Sequence, residues 1–537
     1  MIPGVMAISD APLSALPELM VFFIDSDSIT AESSEDFRIL AATREFITRD
    51  SDALRNRPFL GTLINSLRVD RSIVGGLGFS SLSISWGEIE LINAEADYDS
   101  VISDYAIDGR RVRLTVGAYN AETKSVDAYD DFYVLFDGTA SGWHADEGVL
   151  RVELRDNSSK LDVPAQATKY SGSGDLEGGT ELSGKNKPVA YGQLSNITPV
   201  MVIASELVLQ VNDGRIEAVT AVYDTGASLT FDADYSTSTL LRAATLVAGE
   251  YATCLTEGLI RLGGSAFGAV TADVKGDKTG GTYVNTVGTI IRRLVTTAGE
   301  LIDPDDLVDY RFDDMESDQA AIVGYYLDQN STETCADVVG NLMGSVGGWG
   351  GFTRLGQFEI RLFTAPTSVA SQRYEKQDIL EISRERLPDS IDPPPHRFRM
   401  AYDRNWTVQT DVVASVSEGD PDRAAYLTQG FRLVATDDDT SAAILIDHPL
   451  AQDPEPVSAY FVSSSDAQDE ADRLIALYGT QRSLYRVKVS RAQFIHDIGD
   501  VIHVTYPRWD LSSGRYLRIV SIVDDSNNDT ADLVAFG

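Results

Sequence analysis

Period-two alternation, repeated in short runs between turn residues, limits how this chain can fold more than any other feature. Arg111–Val116 reads Arg-Val-Arg-Leu-Thr-Val, and Leu82–Leu91 reads Leu-Ser-Ile-Ser-Trp-Gly-Glu-Ile-Glu-Leu. Alternation of this kind puts every second side chain on one face and predicts half-buried strands. Asp108-Gly109, ahead of the first run, is a hairpin signal. Phe132–Phe136 and Val149–Leu154 flank Asp137-Gly138 and a loop, and are expected to pair antiparallel. Val200–Ala204, Leu207–Val211 and Ile216–Tyr223 read as short strands, with Asn212-Asp213-Gly214 turning the chain, and Tyr251–Leu262 continues their sheet. Strands return in the tail at Tyr485–Val489, Val501–Tyr506, Arg515–Val523 and Leu533–Phe536.

Helices are few. Val287, Ile290, Ile291, Leu294 and Val295 have helical spacing within Val287–Thr297. Thr334–Ser345 is a second helix. Ser465–Tyr478 is a third, with Ser465 and Gln468 in a capping-box pattern and Gly479 as the stop. Val163–Lys187, rich in Gly, Ser, Thr and Lys, reads as a long surface loop or linker. The fold class is therefore mainly β and multidomain, not a βαβ enzyme. A chain of 537 residues, at about 150 per domain, predicts roughly three to four domains.

Charge removes several function classes. Lys and Arg total 44 against 82 Asp and Glu, a net charge of −38. Gripping DNA needs cations that displace counterions from phosphate, so a polyanion is a poor nucleic-acid binder. Adsorption to an anionic membrane is excluded on the same ground. No apolar run is long enough to span a bilayer. Met1–Asp27 has no basic start and its Leu19–Ile24 run is followed by Asp25 and Asp27, so no secretory signal or membrane anchor is expected. Two cysteines, Cys254 and Cys335, cannot build a disulfide framework, and the sequence leaves open whether they pair.

Motifs that could carry chemistry each lack a part. Asp224-Thr225-Gly226 follows an apolar run as in an aspartic protease, but a two-carboxylate mechanism in one chain needs a second copy, and none is present. A hairpin turn between Val219–Tyr223 and Leu229–Phe231 is the expectation. Gly179–Lys185 has phosphate-loop spacing up to its Lys, but Asn186 stands where a Mg²⁺-binding hydroxyl belongs and Pro188 blocks an immediate helix. His144, His396, His448, His496 and His503 form no metal pattern; only His496 and His503, with Asp500 between, lie near one another. Gly172-Ser173-Gly174 is a truncated nucleophile elbow. Asp303–Asp306, Asp437–Asp439 and Asp525–Asp529 are acidic clusters. The last begins like a calcium loop but lacks its Gly and Glu. No catalytic residue, cofactor or metal is nominated.

The order of the blocks carries more than any motif. Gly87–Asn93 followed by Ala106–Val112, then Phe132–Gly138 with Val149–Asp156, then Lys187–Gly192, resembles successive segments of tail hub (baseplate hub) proteins of long-tailed bacteriophages and prophages. Gly347–Gly356 resembles their Gly/aromatic turn before a strand. Ser465–Tyr478 with Tyr485–Val489, Gly499-Asp500-Val501 and Tyr516–Val520 resembles their closing tube-like domain. The resemblance runs from about Ser85 to the end. It implies tube-like β-barrel or sandwich domains with smaller α+β domains inserted: an N-terminal β-rich segment at 1–84, a first tube-like domain at 85–187 ending in a Gly/Ser-rich linker, inserted hub domains at 188–370, and a second tube-like domain at 371–537.

The function implied is structural rather than enzymatic. The resemblance implies a virion protein at the tail tip, made in the host cytoplasm and forming a ring, often a homotrimer. Its partners would be a distal tail ring or tail tube protein above, a central fibre or spike below, and the tape measure protein. DNA would pass during genome ejection without specific binding, past a surface whose acidity prevents sticking. Other readings are a hexameric distal tail ring protein, a tail-associated depolymerase or peptidoglycan hydrolase, and a receptor-binding adhesin, though neither a repetitive shaft nor a variable tip domain is visible.

Overall fold

The computed structural model describes residues 19–26, 37–65, 67–75, 78–80, 82–117, 119–120, 125–410, 414–490, 494–525, 528 and 530–537. It is mostly β, with 37% strand and 20% helix, as the alternation predicts. Asn527 and Asp529 of the calcium-loop pattern, and most of Met1–Asp27, lie outside the described residues.

Two large sheets dominate. The first has seven antiparallel strands in the order Phe37–Ala42, Leu19–Ser26, Arg111–Gly117, Tyr133–Ala145, Val149–Arg155, Glu88–Ile92, Leu63–Asn65. The second has eight strands. Its central path runs Gln372–Tyr374, Val501–Val504, Arg515–Asp525, Thr530–Phe536, Leu484–Ser490, Ile379–Glu385, and the hairpin Arg68–Ser72 with Ser83–Ser85 joins through Arg515–Asp525. Between them in the chain lie two five-stranded sheets. One holds Val189–Ile197, Ile216–Asp224, Ala227–Ser228, Val270–Asp277 and Gly324–Leu327; the other holds Val200–Ile203, Val208–Gln210, Leu259–Leu262, Glu250–Cys254 and Thr230–Asp234.

Several local expectations change where non-local pairing wins. Leu82–Leu91 is not one strand. Gly87, at φ +69, breaks it, so that Ser83–Ser85 serves the eight-stranded sheet and Glu88–Ile92 the seven-stranded one. A Cβ at Gly87 would sit 2.7 Å from the Arg68 carbonyl oxygen, so this crossing needs glycine. Asp137-Gly138 does not turn the chain. It continues the strand Tyr133–Ala145, held by the ladder Asp137–Arg113 and Gly138–Val112 and by the Arg111 guanidinium, whose Nε donates to Asp137 at 2.8 Å. The turn comes at Asp146–Gly148 instead. Asp108-Gly109 leads out of a short helix, Asp99–Asp104, rather than closing a hairpin. Tyr251–Leu262 is two strands, Glu250–Cys254 and Leu259–Leu262, paired with each other.

The helix at Val287–Thr297 has the expected bounds, and Val287, Ile290, Ile291, Leu294 and Val295 are all buried in the largest core. Ser464–Tyr478 is capped by Ser463, whose side chain accepts from the Asp466 amide, rather than by Ser465. The helix Asp309–Asp318 carries few apolar residues, and those of Pro421–Leu427 and Asp438–Asp447 run consecutively instead of at helical spacing, so none shows a stripe in the sequence. Residues 163–187 contain one short 3₁₀ turn, Asp175–Glu177, and no strand, yet they are packed: Tyr170 and Leu182 are buried, and the Tyr170 hydroxyl donates to Gln210 Oε1 at 2.6 Å.

Helix Cys335–Ser345 starts in a reciprocal cap. Thr334 accepts from the Asp337 amide at 3.2 Å, and the Asp337 carboxylate accepts from the Thr334 amide at 2.9 Å. The Thr334 amide and the Thr334 hydroxyl, which donates to the same carboxylate at 2.8 Å, hold the Asp337 carboxyl below its ordinary range. Thr334→Ala is expected to lower stability by about 1 kcal/mol in chemical denaturation. The carboxylate's share of the cap is present at neutral pH and is lost as pH falls through the depressed value.

Candidate functional site

The nominated motifs resolve into structural roles. Asp224-Thr225-Gly226 is the turn between Ile216–Asp224 and Ala227–Ser228, with Thr225 and Gly226 at φ +51 and +86. The Asp224 carboxylate accepts from the Phe267 amide at 2.7 Å and the Gly268 amide at 3.0 Å, so it ties a neighbouring loop to the hairpin. Gly179–Lys185 lies in a loop with neither a strand before it nor a helix after it, and Gly172–Gly174 belongs to the same loop. Asp303 pairs with Arg292 at 2.7 Å, and Asp306 with Lys160 at 3.4 Å. Asp437 caps the helix Asp438–Asp447, and Asp525 accepts from the Asn528 amide at 3.1 Å. No three metal-ligating side chains come together among the described residues.

The histidines disperse as well. His144 sits 4.0 Å from Glu88 and from Glu153 on the seven-stranded sheet. The His396 ring nitrogen lies 2.6 Å from Ser441 Oγ. His496 is buried, its Nε2 is 2.6 Å from the Tyr374 hydroxyl, and burial pushes its pKa down. His503 lies edge-on to Tyr516, and burial and Arg373 lower its pKa. Cys254 and Cys335 are both free and buried.

What the fold builds is a buried ionic clamp in the eight-stranded sheet region, tied to the seven-stranded sheet by one hairpin. Two elements supply it. The strand Arg68–Ser72 brings Arg71, which is 4% exposed, onto Asp497 and, at 3.6 Å, Asp524; its Nη2 also donates to the His496 carbonyl at 3.2 Å. The hairpin Gly348–Phe352 with Phe358–Leu362 brings Arg361, which binds Glu359 at 2.9 Å and the Ile498 carbonyl at 2.7 Å and lies 3.8 Å from Asp500. The tip of that hairpin reaches the seven-stranded sheet. There Arg354 donates to the carbonyls of Val134 at 3.1 Å and Leu135 at 3.2 Å, and the Asp137 amide donates to the Arg354 carbonyl at 2.8 Å.

The electrostatics are divided. Burial opposes ionisation of Asp497, but Arg71 and Arg361 outweigh it and hold the carboxyl below its usual range. Burial dominates at Asp524 and Glu359 and pushes both carboxyls up. The same burial pulls Arg354 down. A network of this kind fixes geometry more than it adds stability, because each charge is desolvated before it is paired.

The sequence did not flag the clamp. In Phe358–Leu362 the alternation marks Glu359 and Arg361 as outward-facing, yet both are nearly as buried as the apolar residues between them. The available signal was an Arg and a Glu in one short strand opposite the glycine-rich run Gly347–Gly351.

The second functional surface is the set of open sheet edges. Among the described residues Ile379–Glu385 pairs only with Leu484–Ser490 within the eight-stranded sheet, and Leu380 on it is 60% exposed. Thr230–Asp234 and Arg432–Ala435 are also edge strands, with Phe231 and Leu433 half exposed. Edge strands offer unpaired backbone groups to another chain. On the seven-stranded sheet the edge strand Phe37–Ala42 is covered, because the Ala42 amide donates to the Leu60 carbonyl at 2.7 Å.

Together these features define a β-rich multidomain protein whose two large sheets are tied by a hairpin, while edge strands of three of its sheets stay open among the described residues. No family model matches the chain, and no curated protein matches it. Solved structures do. The 43 kDa tail protein of prophage MuSo2 from Shewanella oneidensis aligns at 9% identity and TM-score 0.36, over 96% of this chain and 98% of that one. The tail protein from Neisseria meningitidis MC58 aligns at 7% identity and TM-score 0.38, over 96% of each. Prophage tail protein gp18 from Listeria monocytogenes EGD-e aligns at 9% identity and TM-score 0.31, over 90% and 92%. No helix of the described residues is long and apolar enough to cross a membrane.

Proposed function

We propose that this chain is a structural protein of a phage-type tail and forms the hub at the tail tip, as a ring of copies, most simply a homotrimer. The ring joins a distal ring or tube protein above to a central fibre or spike below and surrounds the channel for passing DNA. The tape measure protein is a further neighbour in this reading. The observation that carries the proposal is the pairing of rigidity with open edges. The hairpin Gly348–Phe352 with Phe358–Leu362, held by Arg361 in the eight-stranded region and by Arg354 on the seven-stranded sheet, ties the two large sheets together, while Ile379–Glu385 keeps an unpaired edge among the described residues. A ring subunit needs that combination, since closure demands a fixed angle between the surfaces that meet neighbouring copies. The order of sequence segments from Ser85 onward supports the same reading. The surplus of 82 acidic over 44 basic residues suits a channel wall that repels DNA.

Solution mass by size-exclusion chromatography with light scattering tests it. A trimer is the expected result. A hexamer moves the assignment to the distal tail ring. A monomer that releases reducing ends from polysaccharide, or soluble peptides from peptidoglycan, overturns the structural reading in favour of a depolymerase.

A further inference from the structure

The edge strand Ile379–Glu385 ends beside a pocket of about 390 Å³. Three other segments complete it: the loop that follows the strand, His448 after the helix Asp438–Asp447, and the turn Thr480–Ser483 after the helix Ser464–Tyr478. Its buried walls are apolar, formed by Tyr478, Phe536 and Ile391. Its charged lining is unusual for so acidic a chain, because Arg384, Arg386 and Arg482 all face it.

The carboxylates nearby are already engaged. Asp392 lies 3.4 Å from Arg386, and Glu385 lies 3.5 Å from Arg486. Among the described residues no carboxylate pairs with Arg384 or Arg482. Arg384 donates to Ser483 Oγ at 3.2 Å, and Arg482 donates from Nε to the Leu477 carbonyl at 3.2 Å while its guanidinium lies over the Phe536 ring. Burial and the neighbouring charge of Arg515 hold Arg482 below the ordinary arginine range. With 82 acidic residues available, two guanidiniums left without a carboxylate in one pocket mark a place where an anion from outside is accommodated.

We propose that this pocket binds an oxyanion, a carboxylate or phosphate group, held by Arg384 and Arg482 with its organic body against Tyr478 and Phe536. Guanidinium forks match the geometry of both oxyanions. The volume falls within the range of small-ligand sites, about 300–1,000 Å³. Two sources share this chemistry: a free small oxyanion, and an acidic side chain of a second copy of this chain.

Calorimetric titration of the full chain with inorganic phosphate and with citrate, against chloride at matched ionic strength, tests the proposal. Saturable binding of at least one probe is expected. Arg384→Ala with Arg482→Ala weakens it by about tenfold or more, since the pair removes both charge-assisted guanidinium donors. Arg155→Ala, on the seven-stranded sheet and paired with Asp162, leaves it unchanged. The conservative pair Arg384→Lys and Arg482→Lys keeps the charge and loses the forks, so it gives a weaker but measurable site even where the alanine pair fails to fold. Absence of saturable binding beyond chloride, or equal binding by wild type and both double variants, overturns the proposal. Light scattering with and without phosphate separates the sources. An unchanged mass assigns the site to a free oxyanion, and a mass that drops as phosphate is added assigns it to an acidic side chain of a second copy.

Discussion

Arg71→Ala is expected to lower the unfolding free energy by about 3–5 kcal/mol, the range for removing one partner of a buried ion pair. The side chain is buried and faces both Asp497 and Asp524, which come from different parts of the eight-stranded sheet region. Alanine would leave the two carboxyls without the cation they share. The pH dependence follows from the signs. In the wild type Asp497 is held below its ordinary value, so its stabilisation is present at neutral pH and is lost as pH falls through that depressed value. Asp524 is raised by burial, so its contribution runs the other way and weakens as pH rises through its folded value. Without Arg71 the buried Asp524 loses the cation that most opposes its burial, while Asp497, a third exposed, keeps Arg361 and Arg354 beside it. The deficit is therefore expected to be larger at pH 7 than near pH 4, where protonation relieves it. Urea unfolding of both proteins at the two pH values measures this. A deficit under about 1 kcal/mol at pH 7 would show that solvent reaches the pair and that Arg71 does not hold this part of the eight-stranded region together. Adding Asp497→Asn and Asp524→Asn to Arg71→Met is expected to recover much of the loss, because no buried charge then stands alone.

The clamp also shows where sequence reasoning stops. Val287–Thr297 was legible because its five apolar positions fall on one helical face and that face is the buried one. Arg111–Gly117 and Val149–Arg155 were legible for the corresponding reason in strands. The failures share a different cause. Arg68–Ser72 pairs with Arg515–Asp525, more than four hundred positions away in the chain. No local pattern encodes that partner, so neither the meeting of Arg71 with Asp497 nor the split at Gly87 could be read in advance. The hairpin at Gly348–Leu362 is buried on both faces, so its alternation of Phe358, Ile360 and Leu362 with Glu359 and Arg361 misstates which residues meet water. Asp137-Gly138 is a strong turn pair on its own. A ladder on both sides of Tyr133–Ala145 outweighs it. The pocket at Arg384 and Arg482 was invisible for a related reason: the sequence shows how many charges there are, but not which of them the fold leaves without a carboxylate among the described residues.

Gly324→Ala is expected to destabilise the protein by about 3 kcal/mol or more, at or above the upper end for overpacking, because the atoms in the way are backbone. Gly324 stands directly opposite Gly192 where Gly324–Leu327 pairs with Val189–Ile197. A Cβ at Gly324 would lie 1.9 Å from the Gln193 carbonyl oxygen, and one at Gly192, itself at φ +65, would lie 1.8 Å from the Val323 carbonyl oxygen. Neither segment can step aside. The Gln193 amide donates to Val323 at 3.1 Å, the Gly324 amide to Tyr460 at 3.0 Å, and the Val323 amide to Asn285 at 2.9 Å. The position matters beyond its own clash, because the strand it begins is shared. Tyr325 and Leu327 pack into the core that contains the eight-stranded sheet, while Tyr326 packs into the core of the neighbouring five-stranded sheet. Forcing the strands apart at Gly324 should uncouple these cores and split a single denaturation transition into two. Gly340→Ala is the matched control. It lies in the helix Cys335–Ser345, a Cβ there meets nothing within 4 Å, and helix propensity favours alanine by about 1 kcal/mol. Stabilisation at Gly340 with loss at Gly324 ties the effect to the backbone crossing. Equal, small effects at both sites would mean that the strands can spread and that the two cores are joined elsewhere.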